Sequence, residues 1–183
     1  MRLVDIEIAN FLSFGPAQTV ALADLGLVAL VGRNKDSAGA TSNGAGKSTI
    51  PEAIYWCLFG DTLRGYKGDE VINNRTGRDC RVVLRVEDGG HSYRIIRTRG
   101  TKGSKRASDL LVEVDGAAAE ESSGGVTTDT QAIIDTIVGM DKRTFAQVVL
   151  LSHGSRPISE LTDSEQKRVL DDIMQNDVLV RVA

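Results

Sequence analysis

The stretch Gly44-Ala45-Gly46-Lys47-Ser48-Thr49 has the residue types to grip an anion. Glycines let successive backbone N–H groups converge on phosphate oxygens, and a helix starting beside them adds partial positive charge. A lysine in the place of Lys47 reaches the β- and γ-phosphates of a nucleotide, and a hydroxyl in the place of Ser48 ligates Mg²⁺. ATP and Mg²⁺ are therefore the expected cofactors, with Lys47 as catalytic cation and Ser48 as metal ligand. The spacing is irregular. The regular pattern is Gly-x4-Gly-Lys-Ser/Thr, and the position five before Gly46 holds Thr41. The nearest strand-end glycine is Gly32, fourteen residues before Gly46. With Gly32 in the first role, the loop carries about nine additional residues. The competing reading is a chance Gly-Lys-Ser in a surface loop, and the flanking elements decide between the two.

Before the loop, Leu27-Val28-Ala29-Leu30-Val31 is a compact apolar run ending in Gly32, the pattern of a strand buried on both faces. After it, Ser48 to Phe59 reads as a helix ended by Gly60. Pro51 is tolerated only in a first turn, so that helix starts close to Gly46 or Lys47. Strand, glycine-rich loop and helix together are the context that a phosphate-binding loop requires.

The remaining elements are a scaffold. Arg2 to Asn10 alternates as a half-buried strand does, and Thr19 to Leu22 forms a short returning strand. Val82 to Glu87 and Ser92 to Arg99 pair as a hairpin across Asp88-Gly89-Gly90. Leu110 to Val114 alternates before the turn Asp115-Gly116. Thr127 to Val138 is a helix with Ile133, Ile134, Ile137 and Val138 on one face. Phe145 to Leu151 is an apolar strand or short helix, and a last helix capped by Thr162 or Asp163, with Glu165 in a capping box, runs to Met174.

Composition sets the class. With 183 residues, 41% hydrophobic and 26% charged, the chain fits one globular domain or one lobe of a larger one. Two cysteines, Cys57 and Cys80, are too few for a disulfide framework, which makes a reducing compartment the default. No segment approaches the roughly 18 apolar residues of a membrane span. The net charge of −3 is unevenly placed: residues 64–106 hold twelve Lys and Arg against five Asp and Glu. That local excess suggests a face for a polyanion, carried by Arg75, Arg78, Arg81, Arg94, Arg97, Arg99, Lys102, Lys105 and Arg106. The bland reading of the same residues is a solubilising surface.

Several segments together resemble the N-terminal lobe of SbcC-type, SMC-like ABC ATPases of double-strand-break repair. They are Asn10-Phe11-Leu12-Ser13, Gly32-Arg33-Asn34, Asn43 to Ser48, Pro51 to Gly60, Asp69-Glu70-Val71-Ile72-Asn73 and Phe145 to Gly154. The resemblance implies an α/β P-loop NTPase fold, with a mixed sheet, an antiparallel β subdomain and flanking helices. It implies one lobe over 1–183, with a P-loop region at 27–60, a basic β-hairpin region at 64–115 and a helical, Q-loop region at 127–176. It adds Arg33 and Asn34 to the nucleotide contacts Gly32, Asn43, Gly44, Ala45, Gly46, Lys47, Ser48 and Thr49. The implied partners are a C-terminal ATPase lobe, an SbcD-type nuclease, double-stranded DNA and a second head in a dimer. The implied location is cytoplasmic and nucleoid-associated.

The chain departs from the family pattern in two places. His153 stands where the family has the Q-loop glutamine: as a neutral imidazole it is the candidate for the catalytic and metal-ligand role there, the alternatives being that the role has moved or been lost and that His153 is a solvated loop residue. The segment Lys35 to Ser42 is inserted over the phosphates. No acidic Mg²⁺ motif or signature motif is convincing: Leu110 to Asp115 suits a hairpin better, and Ser122 to Gly125 a plain loop. Hydrolysis by the chain therefore awaits a second lobe. Two readings stay open besides: a non-hydrolysing lobe of another SMC-like complex, in defence or chromosome organisation, and an unrelated P-loop kinase.

Overall fold

The computed structural model describes residues 1–32, 45–100, 108–118, 127–150 and 158–174. The chain divides into two compact units, 1–134 and 135–183.

The first unit is built on one six-stranded antiparallel sheet. Its strands are β1 (Arg2–Ala9), β2 (Gln18–Ala21), β3 (Cys80–Asp88), β4 (His91–Arg99), β5 (Asp109–Val114) and β6 (Ala117–Ala118), in the order β2-β1-β3-β4-β5-β6. The β3–β4 hairpin closes through Gly89 and Gly90, at φ +56° and +86°, and β5 turns into β6 through Asp115 and Gly116, at φ +50° and +86°. Paired positive φ values are what a tight two-residue hairpin demands, and they account for the glycines.

Alternation sorts the sheet into two faces. Ile6, Ile8, Val82, Leu84, Val86, Ile95 and Val112 are all buried on one face. Helix α1 (Thr49–Phe59) supplies much of that core, with Ala53, Ile54, Trp56, Cys57 and Leu58 buried along it. The helix is apolar nearly all round, as a helix enclosed by its neighbours is. Cys57 sets its thiol against the carbonyls of Val82 and Ile95, at 3.8 and 3.5 Å. The opposite face carries the charged residues, beside an apolar row of Val83, Ile96 and Leu111. There Asp5, Arg85, Arg94 and Glu113 stand as successive register partners across β1, β3, β4 and β5.

One expected strand does not form among the described residues. Leu27 to Val31 is extended chain outside the sheet, and Leu27, Val28, Leu30 and Val31 are 104%, 57%, 53% and 83% exposed. The apolar run has the composition of a buried strand, but the sheet gives it no hydrogen-bonding neighbour.

The second unit is helical. Helix α2 (Thr127–Val138) contributes Ile137 and Val138, followed by α3 (Lys142–Phe145), a π-helical turn (Ala146–Leu150) and α4 (Asp163–Met174). The stretch after Phe145 is thus helical rather than a strand. The reason is local: Asp141 caps α3 by accepting the Thr144 N–H at 2.7 Å, and the helical turns run on from there. The capping box of α4 forms as its sequence requires, with Glu165 Oε2 accepting the Thr162 N–H at 3.0 Å. Among the described residues, no helix is long and apolar enough to cross a membrane.

Candidate functional site

The two halves of the interrupted loop meet. A methyl group on Gly32 would lie 2.6 Å from Ala45 Cβ and 3.2 Å from Lys47 Nζ, so Gly32 and the lysine that follows the loop are packed together. Gly46 has φ +81°, and a Cβ there would come within 2.8 Å of Ser13 Oγ. Glycine is required at both positions: at Gly32 by close approach, at Gly46 by both approach and backbone. Helix α1 starts at Thr49, with Ser48 as its N-cap residue. Ser48 is exposed and makes no side-chain capping bond. Pro51 falls in the first turn, as its missing N–H dictates. Arg33, Asn34, Asn43 and Gly44 lie outside the described residues, as does the insertion 35–42.

Beside this loop lies a cleft of about 970 Å³. Its walls include Ala45, Gly46 and Thr49 from the loop and helix, Ser13 and Phe14 from the β1–β2 turn, and Arg64, Tyr66 and Arg75 from the segment after α1. Ser13 Oγ and Thr49 Oγ1 are 2.7 Å apart and tie the turn to the helix. Asn73, buried, joins two walls. Its amide donates to the Leu12 carbonyl at 2.6 Å, and its Oδ1 accepts the Arg75 and Thr76 N–H groups at 3.0 and 3.1 Å. Phe11 is fully buried with its ring 5.2 Å from that of Trp56, and it anchors the turn from beneath. Sequence patterning assigns Ser13, Arg64, Tyr66 and Asn73 no role. Their signal is tertiary, because only folding brings residues 13, 64 and 73 to one cleft.

The cleft is large enough for a nucleoside, and the phosphate loop opens along it. The residue types fit a nucleotide: the loop brings its backbone to the cleft at Ala45 and Gly46, with Lys47 and Ser48 next in the chain. For a metal the described residues offer less. No cluster of three His, Cys, Asp or Glu is present among them, and the hydroxyl expected to meet a metal, that of Ser48, stands at the N-cap of α1. His153 lies outside the described residues. The two cysteines take no part. Burial pushes the thiols of Cys57 and Cys80 up to about 12, so neither is a nucleophile near neutral pH.

The arginines read as one basic face are divided. Arg81 and Arg94 lie on the charge-bearing face of the sheet, where Arg81 pairs with Glu7 and Arg94 with Glu113, the latter at 2.8 Å. Arg97 and Arg99 lie on the helix face, as their register partners Val82 and Cys80 show. Arg97 donates to the Cys57 and Leu58 carbonyls at 2.9 and 3.2 Å and to Gln131 Oε1 at 2.7 Å, closing the C-terminal end of α1. Arg99 pairs with Asp69 at 2.9 Å, and Arg78 stands 3.9 Å from Asp79. Arg75 is in the cleft wall. Lys102, Lys105 and Arg106 lie outside the described residues.

An α/β lobe with a phosphate loop at the head of a buried helix is the architecture of a nucleotide-binding ATPase domain. The chain belongs to the AAA domain family, whose model matches residues 5–178. Among curated relatives, the SbcC component of the nuclease SbcCD from Deinococcus radiodurans is 33% identical over 84% of this chain and 16% of its own length. The DNA double-strand break repair Rad50 ATPase of Thermoplasma volcanium is 29% identical over 98% of this chain and 18% of its own. The exonuclease subunit 2 of Escherichia phage RB69 is 29% identical over 73% and 22%. The chain therefore spans about a fifth or less of the length of these relatives. Among solved structures, the SMC head domain from Thermotoga maritima is 19% identical, with a TM-score of 0.42, over 96% of this chain and 73% of that one.

Proposed function

We propose that this chain is the ATP-binding lobe of a DNA double-strand-break-repair ATPase, which hydrolyses ATP when heads dimerise and thereby governs DNA access for an SbcD-type nuclease. The observation that supports the reading is the packing of Gly32 against Ala45 and Lys47, which brings the two sequence segments together beside the cleft that Ala45 and Gly46 line. Lys47 holds the β- and γ-phosphates, and the backbone from Ala45 to Thr49 lines them. The nucleoside lies in the cleft between the Ser13 turn and the Arg64–Tyr66 segment. Ser48 gives its hydroxyl to Mg²⁺, whose chemistry is to neutralise charge developing on the phosphates. The remaining catalytic groups come from His153 and from a C-terminal lobe. The exposed Leu27 to Val31 run supports that partner, since it offers a contiguous set of exposed apolar side chains outside the sheet. DNA contact is assigned to Arg75, Arg78, Lys102, Lys105 and Arg106 on the local excess of positive charge, while Arg81, Arg94 and Arg99 pair with acids and Arg97 closes a helix end.

The test is ATP binding by isothermal titration, then turnover. Wild-type chain binds ATP, and Lys47→Ala weakens binding by about 100-fold, the loss of a charge-assisted contact with two phosphates. Turnover rises only when the C-terminal lobe and linear DNA are supplied. Absence of ATP binding by the wild type, or binding indifferent to Lys47→Ala, rejects the reading. A second reading, a nucleotide-binding structural lobe without hydrolysis, draws on the described residues holding no cluster of three His, Cys, Asp or Glu for a metal. It predicts ATP binding with no turnover even when the second lobe and DNA are present.

A further inference from the structure

Glu52 occupies the first turn of α1, directly after the phosphate loop, and is only 2% exposed. Burying a carboxylate is costly, and burial pushes its pKa up against the lowering effects of the Leu63 N–H and of Arg64. Its surroundings show what the charge serves. Oε2 accepts the Leu63 N–H at 2.7 Å, a bond that a neutral glutamine would satisfy equally well. Oε1 lies 3.5 Å from Arg64 Nε, and that contact distinguishes a carboxylate from an amide.

Arg64 is at the tip of a closed turn. Gly65 N–H donates to the Thr62 carbonyl at 3.2 Å, and the Thr62 hydroxyl donates to the Tyr66 carbonyl at 3.1 Å. The turn is thus stiff in itself and pinned to α1 through Glu52. Arg64 lines the cleft and is half exposed, and it is through Nε that its guanidinium stands beside Glu52. With Nε engaged, the planar fork has its rotation restricted, which is what pre-organises arginine for an anion.

We infer that Glu52 is a positioning residue, which fixes Arg64 at a set distance from the phosphate loop so that one nucleotide is held from both sides of the cleft. The inference rests on the proposed function and deepens it. The loop's own helix carries the carboxylate, so the spacing between Lys47 and Arg64 is set by covalent geometry on one side and by the Glu52–Arg64 ion pair on the other. A second wall thereby moves with the phosphate cradle rather than independently of it.

The experiment is a double-mutant cycle on the full chain, read by ATP titration, with inorganic tripolyphosphate as a second probe. Glu52→Gln keeps the Leu63 acceptor and removes the charge. It is expected to weaken ATP binding by about tenfold, the low end for a hydrogen bond involving a charged group, with the melting temperature little changed. Arg64→Ala gives a similar loss, and the double variant loses no more than the larger single one. ATP affinity of Glu52→Gln equal to wild type, or losses that multiply in the double variant, would overturn the inference. If Glu52→Gln does not fold, Arg64→Ala alone still decides: unchanged ATP affinity refutes the inference. Failure of the parent reading looks different, since then the wild type binds neither ATP nor tripolyphosphate and Lys47→Ala changes nothing.

Discussion

At Gly32 an added methyl group has nowhere to go. It would lie 2.6 Å from Ala45 Cβ, inside any real carbon–carbon contact, and 3.2 Å from Lys47 Nζ. The neighbour that yields must be the cradle itself, because Ala45 and Lys47 belong to it. Gly32→Ala should therefore weaken ATP binding at least fivefold, the effect of overpacking a tight site by about 1 kcal/mol or more. The sheet and α1 do not touch Gly32 and should melt as in the wild type, followed by circular dichroism. ATP affinity preserved in Gly32→Ala would mean that Gly32 is a bystander and that the interrupted loop closes some other way. The sequence marks Gly32 as a candidate by its place after an apolar run. It cannot show that fourteen residues of separation collapse to a van der Waals contact.

Among the elements, α1 and β4 share the residue whose sequence context is most misleading. Arg97 sits in a run of arginines and reads as surface charge, yet it closes the C-terminal end of α1 with three hydrogen bonds, at 2.7 to 3.2 Å. A cation there also opposes the negative end of the helix dipole. Arg97→Ala should cost about 2–3 kcal/mol in urea unfolding, since it strips charged donors from half-buried carbonyls. Arg94→Ala, which removes only an exposed pair with Glu113, should cost under about 1 kcal/mol. Equal losses for the two would contradict the distinction between a helix closure and a surface pair. The same contrast shows what was legible. Strand and helix positions follow from alternation, turn glycines and caps, and β1 to β5, α1, α2 and α4 lie where those signals put them. Which face each arginine occupies depends on register: β3 and β4 pair Arg81 with Thr98 and Val82 with Arg97, and composition carries no such information. The stretch after Phe145 is ambiguous in sequence for a related reason, because a short apolar run has no period of its own and the Asp141 cap decides it.

At the scale of the whole molecule, the sheet of the first unit is complete without the run that feeds the phosphate loop. Leu27, Val28, Leu30 and Val31 have the β-branched and leucine content of an interior strand but stand in solvent. Exposed apolar chain outside the sheet recruits an apolar partner, and a C-terminal lobe is the partner proposed for it. In its absence the wild-type chain should self-associate as concentration rises, seen as a growing weight-average mass in sedimentation velocity. Leu27→Lys with Val31→Lys should keep the chain monomeric, leave its melting temperature within about 2 °C because neither side chain is packed, and abolish capture of the C-terminal lobe. A doubly substituted chain that still binds the lobe with wild-type affinity would move the interface elsewhere and leave the exposed run without a purpose. Loss of lobe binding together with retained ATP binding would separate the two tasks of the segment, presenting Gly32 to the nucleotide and presenting apolar side chains to the rest of the ATPase.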